Sequence, residues 1–240
     1  MAPDLLARAV KAHDPLGRFS SVRALRAEVR VGGNILAFRF RSPSARRVTV
    51  HVDARRPRLL MTGFPQPGWC GEMAGDVVRI RDDAGRVVGE RHHARSVASS
   101  RVKWDALDEM HFLGYALWNY ALTPFFFTWP GFHTEELPAQ DGLQRLRVRF
   151  PSGIPTHSAE QVFHFNERNL LVRLDYTAEV FGSRWRGAHF CGEHRELGGF
   201  LVPTHRKVLP KLGGRVLPFP AAMEGWVESL GEAEELPAER

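Results

Sequence analysis

Residues 104–132 read WDALDEMHFLGYALWNYALTPFFFTWPGF, and this stretch decides the fold. From Phe112 to Phe132 it carries no charged side chain, and it holds a large share of the aromatic residues of the chain. Apolar residues recur at three- and four-residue steps up to Leu122, which predicts a helix over residues 104–122. The second half of that helix is apolar nearly all round, so we expect it to be buried on every side. Pro124 ends the helix, and an aromatic loop is predicted to follow.

A membrane-spanning helix is the alternative interpretation of the same stretch. Its uncharged part, residues 112–132, is long enough to cross a bilayer. Pro124, Pro130 and two glycines interrupt it, however, and both flanks are acidic where a membrane helix usually carries Lys or Arg. These features favour a buried helix followed by a loop.

Short stretches of alternating apolar and polar residues lie on both sides of this segment. Gly32-Gly33-Asn34 predicts a hairpin turn between strands 22–31 and 35–41. The most regular alternation runs from Leu170 to Val180 and predicts one long strand. An amphipathic helix is predicted at the N-terminus, ending near Asp14-Pro15.

The order of these elements predicts an α+β fold. About ten or eleven strands, mostly joined by hairpins, favour a single curved, unclosed antiparallel sheet wrapped around the central helix, a half-barrel with an N-terminal helix. We expect one domain over residues 1–230 and an acidic flexible tail over residues 231–240.

Charge and cysteine content limit the partners and the compartment. Residues 1–60 hold thirteen Lys or Arg against four Asp or Glu, and the net charge of the chain is +6. Most basic residues stand singly along strands, without a basic run interleaved with aromatics, so we expect no nucleic-acid partner. Contact of the Arg-rich N-terminal half with an anionic membrane surface stays open. The chain has two cysteines, which we expect to be free thiols, and its first segment lacks a secretory apolar core. We therefore expect a cytoplasmic protein. We expect it to be a monomer or weak dimer.

Few residues stand out as candidates for chemistry. The chain lacks the glycine-rich phosphate loops, the serine-hydrolase elbow and the zinc-protease motif, and we expect no metal and no cofactor. Glu179 and His189 end and begin consecutive predicted strands, so a hairpin would bring them together as a proton relay, with Tyr115 as the third catalytic candidate. A polar pair at a sheet edge is the competing interpretation.

The central segment supplies most candidate ligand contacts, because an aromatic wall with few polar groups suits an apolar ligand held by shape. Asn119 would either tether the following loop or contact the ligand. In residues 204–207, either Thr204 and Arg206 or His205 and Lys207 face a cavity, since strand residues alternate. The predicted ligand-binding set is Trp118, Asn119, Tyr120, Phe126, Trp129, Tyr176 and His164.

Four motifs carry a resemblance to known proteins: GYALWNY with TPFFF (114–127), FPSGIPTHSAEQVFHFN (150–166), LVRLDYTAEVFG (171–182) and PTHRKV (203–208). Here the sequence resembles a group of bacterial hypothetical proteins, and its element order is similar to the half-barrel of bacterial lipoprotein carriers of the Lol type. The resemblance implies an apolar cavity and a ligand with acyl or lipid character. One branch of that fold works as an enzyme in pigment biosynthesis.

Two functions are therefore expected. The first is binding of an apolar or amphipathic small molecule between the curved sheet and the aromatic helix and loop. The second is a cofactor-free enzyme of secondary metabolism, of isomerase or cyclase type, that uses a Glu/His proton relay in the same cavity.

Overall fold

The fold is that of a computed structural model, which describes residues 4–39, 45–218 and 220–236. In this part of the chain, four α-helices accompany one large sheet. The helices are α1 (Leu5–His13), α2 (Asn34–Arg39), α3 (Ala94–Ser100) and α4 (Ala106–Leu122).

All fourteen strands of the described residues belong to one antiparallel sheet. They are β1 (Ala24–Gly32), β2 (Ala45–Asp53), β3 (Arg58–Thr62), β4 (Cys70–Ala74), β5 (Val77–Arg81), β6 (Val87–Arg91), β7 (His133–Gln140), β8 (Leu143–Arg149), β9 (Glu160–Phe165), β10 (Leu171–Thr177), β11 (Arg186–Leu197), β12 (Phe200–Leu212), β13 (Arg215–Val216) and β14 (Met223–Ala233). The order is β6-β5-β4-β3-β2-β1-β14-β12-β11-β10-β9-β8-β7, with β13 beside β12. The first and last strands do not pair, so the sheet is open, as predicted.

Helix α4 lies at the centre of the fold. Asp105 caps it by accepting hydrogen bonds from the backbone N–H groups of Leu107 and Asp108, and the Asp108 carboxylate accepts one from the backbone N–H of Asp105. Twelve of its seventeen residues are buried, which confirms the predicted central helix. Within the described residues, no helix is long and apolar enough to cross a membrane.

The predicted aromatic loop is a short 3-10 helix, Phe125–Thr128, with its flanking residues. Phe126 is fully buried and contacts Trp118, Phe127 and Phe132 at ring-centroid distances of 5.4, 4.9 and 5.1 Å. Such edge-on and tilted pairs add to the free energy gained by burying the rings. This aromatic cluster fixes the C-terminal end of α4 against the sheet.

The predicted hairpin at Gly32-Gly33-Asn34 is wrong. Residues 34–39 form α2, and the strand that pairs with β1 is β2. Gly33 packs against the start of β14: a Cβ there would lie 2.6 Å from the carbonyl oxygen of Ala222, whose carbonyl also accepts a hydrogen bond from the Ile35 backbone. After this contact with a distant segment, the chain continues as helix α2 instead of returning as a strand. Phe40 and Arg41 of the predicted strand lie outside the described residues.

Other boundaries also differ from those predicted. The strand predicted over 170–180 ends at Thr177, and Glu179–Phe181 form a 3-10 turn. The sequence does not predict strands β4, β7 and β13, which raise the strand number, nor helix α3. β14 continues to Ala233, past the start of the predicted tail, and the division into domain 1–230 and tail 231–240 stays a prediction.

Candidate functional site

A cavity of about 100 Å³ lies between one face of α4 and the inner face of the sheet. Helix α4 contributes Phe112, Leu113, Ala116, Leu117, Tyr120 and Ala121. Strands β1, β2, β10, β11, β12 and β14 contribute the other wall. Its inward side chains are Ala27, Val29, Val31, Val50, Tyr176, His189, Val202, Arg206, Val208, Met223, Val227 and Leu230. Most of this wall is aliphatic.

Strand alternation and one irregularity in β14 produce this wall. Met223, Gly225 and Val227 alternate towards the cavity. The register with β1 then shifts, because Val29 is opposite Val227 and the neighbouring Glu28 is opposite Ser229. The extra residue at this bulge returns Leu230 to the inner face, so the apolar lining continues along the strand.

The cavity borders a seam in the sheet, which we define as the junction of β12 and β14. These two strands pair over only four residue pairs, from His205 opposite Trp226 to Val208 opposite Met223. Beyond these pairs, β14 pairs with β1 alone, and β12 pairs with β11 and, at its C-terminal end, with β13. Val202 and Leu230 line the cavity on the two sides of this unpaired stretch.

Four polar side chains gather at one end of the cavity: Tyr120, Tyr176, His189 and Arg206. The His189 ring lies edge-on to Tyr120 at 4.7 Å and to Tyr176 at 6.4 Å between centroids. The Arg206 guanidinium lies over the Tyr120 ring, 4.8 Å from its centroid. The cavity therefore has a long, mostly aliphatic wall with these four polar groups at one end, and Arg30 and Glu224 also border it.

His189 is buried, and in the described part of the chain neither of its ring nitrogens has a hydrogen-bond partner. Burial lowers its pKa well below 6.5, and the charge of Arg206 lowers it further. The imidazole is therefore neutral at ordinary pH and offers one donor and one acceptor. A buried ring with neither nitrogen used is suited to a ligand group.

His157 connects the two tyrosines of α4 behind this polar end. Its Nδ1 lies 3.2 Å from the Tyr115 hydroxyl and its Nε2 lies 2.7 Å from the Tyr120 hydroxyl. Tyr176 stacks on its ring at 4.1 Å. Burial, followed by the charge of Arg95, lowers the His157 pKa to about 3, so the ring is neutral. One hydroxyl donates to it and the other accepts, which fixes the orientation of Tyr120.

Tyr115, the third catalytic candidate, takes part in this network and does not line the cavity. Burial raises the pKa of Tyr115, Tyr120 and Tyr176 far above the ordinary value, so all three keep their protons. They serve as neutral hydrogen-bonding groups at neutral pH.

The structure does not bring Glu179 and His189 together. Because the strand ends at Thr177, Glu179 turns towards α3, where its carboxylate accepts a hydrogen bond from Arg95 at 2.6 Å. It lines a second cavity of about 450 Å³, together with Asp76, His111 and the 150–156 loop. The predicted pair of Glu179 and His189 is therefore wrong, because the two residues line different cavities.

Several predicted ligand contacts have structural partners instead. The Trp118 indole donates to the backbone carbonyls of Asp53 and Arg56. The Asn119 amide donates to the carbonyls of Tyr115 and Pro155, so it tethers the 150–156 loop to α4.

The remaining predicted contacts also lie away from the main cavity. Phe126 and Trp129 lie in the aromatic cluster, at 5.9 Å from each other. His164 lies 3.5 Å from the Asp175 carboxylate. Of the residues predicted to bind a ligand or act in catalysis, Tyr120, Tyr176 and His189 line the main cavity.

Arg206 was not among the predicted site residues. The alternation left open whether Thr204 and Arg206 or His205 and Lys207 face inward, and the structure shows the first set inside. His205 lies on the outer face, where it pairs with Glu224 at 2.8 Å. The sequence does hold a signal for Arg206, because this residue interrupts an otherwise uncharged face of β12.

Across residues 4–39, 45–218 and 220–236, no group of three metal-ligating side chains is placed to hold an ion.

Comparison with known proteins agrees on the fold. No family model and no curated protein matches the chain. The crystal structure of a LolA superfamily protein from Nitrosomonas europaea matches with a TM-score of 0.55 and 11% identity, covering 97% of this chain and 93% of that one. A DUF1329 family protein from Desulfovibrio piger matches with a TM-score of 0.54 and 12% identity, over the same shares of both chains. The predicted Lol-like half-barrel is confirmed as a fold.

Proposed function

We propose that this protein binds an apolar or amphipathic small molecule in the cavity between α4 and the seam. The observation that carries the proposal is the lining: a mostly aliphatic wall from α4, β1 and β14, with Tyr120, Tyr176, His189 and Arg206 gathered at one end. Ligand sites of this composition gain affinity from excluded water and orient the ligand through few polar contacts.

The size and position of the cavity support this function. A dry apolar space of about 150 Å³ in a protein core takes up benzene, so about 100 Å³ is of the scale of one ring or one narrow chain segment. The unpaired stretch of the seam lies next to the lining, which gives an alkyl tail a direction in which to extend. Bulky ligands with several acyl chains fit this space poorly.

Filling the cavity tests the proposal. Leu117 lines it, and Leu117→Trp places an indole there, whereas Leu16→Trp makes the same exchange at a leucine that is 71% exposed. We expect diphenylhexatriene, a neutral apolar dye no wider than one ring, to gain fluorescence with the unaltered protein and with Leu16→Trp, and to gain little with Leu117→Trp. Equal dye binding by all three proteins would place the dye elsewhere and contradict the proposal.

Native mass spectrometry provides an independent measurement. Protein purified without detergent is expected to carry a low-mass adduct that organic extraction removes, and Leu117→Trp is expected to lack it. An adduct of equal abundance in both proteins would count against this cavity as the binding site.

A cofactor-free enzyme of isomerase or cyclase type is the second candidate. The observation that favours it is His189, a neutral imidazole that lines the cavity and whose ring nitrogens have no hydrogen-bond partner in the described residues. The Glu179 relay is replaced in this version by His189 with Tyr120. The test is to incubate an extracted native ligand with fresh protein and with His189→Gln, and to compare the products by chromatography. A ligand that is recovered unchanged from both incubations would exclude turnover.

A further inference from the structure

Arg206 is a buried cation whose charge no carboxylate of the described chain neutralises. Its side chain is 9% exposed. Nη1 donates to the Cys191 thiol at 3.2 Å, and Nη2 donates to the backbone carbonyl of Tyr120 at 3.3 Å. By contrast, buried Arg58 faces the carboxylate of Glu72 at 2.7 Å. A buried charge without a counter-ion is costly, so its presence in a cavity wall indicates a partner that comes from outside the chain.

The neighbouring groups do not supply a negative charge. Burial raises the pKa of the Cys191 thiol, so it stays protonated at neutral pH, and Tyr120 and Tyr176 keep their protons for the same reason. Glu224 borders the cavity, but its carboxylate pairs with His205 on the outer face. Burial lowers the pKa of His13, His189 and His194, and the charge of Arg206 lowers each of them further.

His189 adds a second donor beside this cation. One nitrogen of its neutral ring carries a proton, and within the described residues no acceptor takes it. A guanidinium fork and one N–H at the same end of a cavity match a planar head group with two oxygens and a single negative charge. A phosphate would bring a larger charge than one guanidinium balances.

We propose that the ligand is an aliphatic monocarboxylate, with its carboxylate on Arg206 and His189 and its alkyl tail along α4, β1 and β14. This rests on the proposed function and names its ligand class. A single tail agrees with the narrow cavity, and the carboxylate supplies the counter-ion that the guanidinium lacks.

The test compares three ligands that share one tail: decanoic acid, 1-decanol and decylamine, each displacing diphenylhexatriene. Aliphatic acids are ionised at neutral pH, so the series changes the head group from anionic to neutral to cationic while the tail stays nearly the same. We expect the unaltered protein to bind decanoate roughly tenfold or more tightly than decanol, and decylamine more weakly than either. Equal affinity for the acid and the alcohol would overturn the head-group assignment and leave the proposed function standing. Displacement by none of the three would overturn both.

Two variants locate the preference. Arg206→Met keeps an apolar chain of similar length without the charge, and Arg206→Lys keeps the charge without the fork. We expect Arg206→Met to bind the acid and the alcohol with similar affinity, and Arg206→Lys to retain part of the preference for the acid. A preference for decanoate that survives in Arg206→Met would refute the role of Arg206. The ligand series on the unaltered protein remains decisive if a variant does not fold.

Discussion

The buried His111 side chain is expected to make the stability of the protein sensitive to acid. This side chain of α4 is 1% exposed, and in the described part of the chain neither ring nitrogen has a hydrogen-bond partner. Burial lowers its pKa from 6.5 to about 4; the charge of Asp76 opposes this shift and that of Arg95 adds to it. We predict that His111→Phe makes the protein less sensitive to acid.

The size of the effect follows from proton linkage. Between about pH 6.5 and about pH 4, the unfolded chain holds a proton on this imidazole and the folded protein does not, so stability falls as the pH falls. The loss is about 1.4 kcal/mol per pH unit, and it amounts to about 2 kcal/mol between about pH 7.5 and about pH 5. Well above pH 6.5 the imidazole is neutral in both states, so its contribution to the free energy of unfolding no longer changes with pH. Phenylalanine takes up no proton, so the variant should retain this free energy.

Guanidinium unfolding followed by tryptophan fluorescence at both pH values measures the difference. The other buried histidines, including His13 and His157, are present in both proteins and cancel in the comparison. His133→Phe is the matched control, because the His133 side chain is exposed, and it should lose as much stability as the unaltered protein. If His111→Phe loses stability on acidification as steeply as the control, the buried neutral state assigned to His111 is wrong.

Two further predictions concern packing and charge. A Cβ at Gly114 would lie 2.8 Å from Cβ of Met73, so Gly114→Ala should lose about 1–3 kcal/mol to overpacking and regain at most about 1 kcal/mol of helix propensity. Gly192→Ala, which meets open space, is the control in urea unfolding, and equal midpoints would contradict the contact. Arg58→Met should cost about 3–5 kcal/mol because it leaves the buried Glu72 carboxylate without this partner, and the added change Glu72→Leu should recover most of the loss. A double variant as unstable as the single one would refute this reading of the pair.

Local signals account for the parts of the fold that the sequence predicted. The cap at Asp105 and the apolar surface of α4 lie within one segment, and the alternation in β2 and β11 needs only neighbouring residues. The segment 34–39 was mispredicted because its conformation depends on the contact of Gly33 with Ala222. Such a contact between distant residues leaves no trace in local periodicity.

In the site, too, local alternation predicts some positions and contacts between distant segments determine the others. Alternation places His189 and Tyr176 on inner faces, but it does not say which face of β12 is inner, so Arg206 was left as one of two alternatives. Glu179 failed as the partner of His189 because Arg95, on a helix that was not predicted, determines its direction. Whether a charged side chain has a partner depends on contacts between distant segments, so it is seen only in the folded structure.

The four residue pairs between β12 and β14 divide the sheet into two wings that meet at a narrow hinge. One wing runs from β6 to β14 and the other from β12 to β7, and each has continuous ladders of its own. On the outer face, His205 spans the hinge by stacking on Trp226 at 5.4 Å and pairing with Glu224. Spreading the wings breaks few hydrogen bonds between β12 and β14, so in the proposed site the width of the ligand depends on the strength of the hinge as well as on the volume of the cavity.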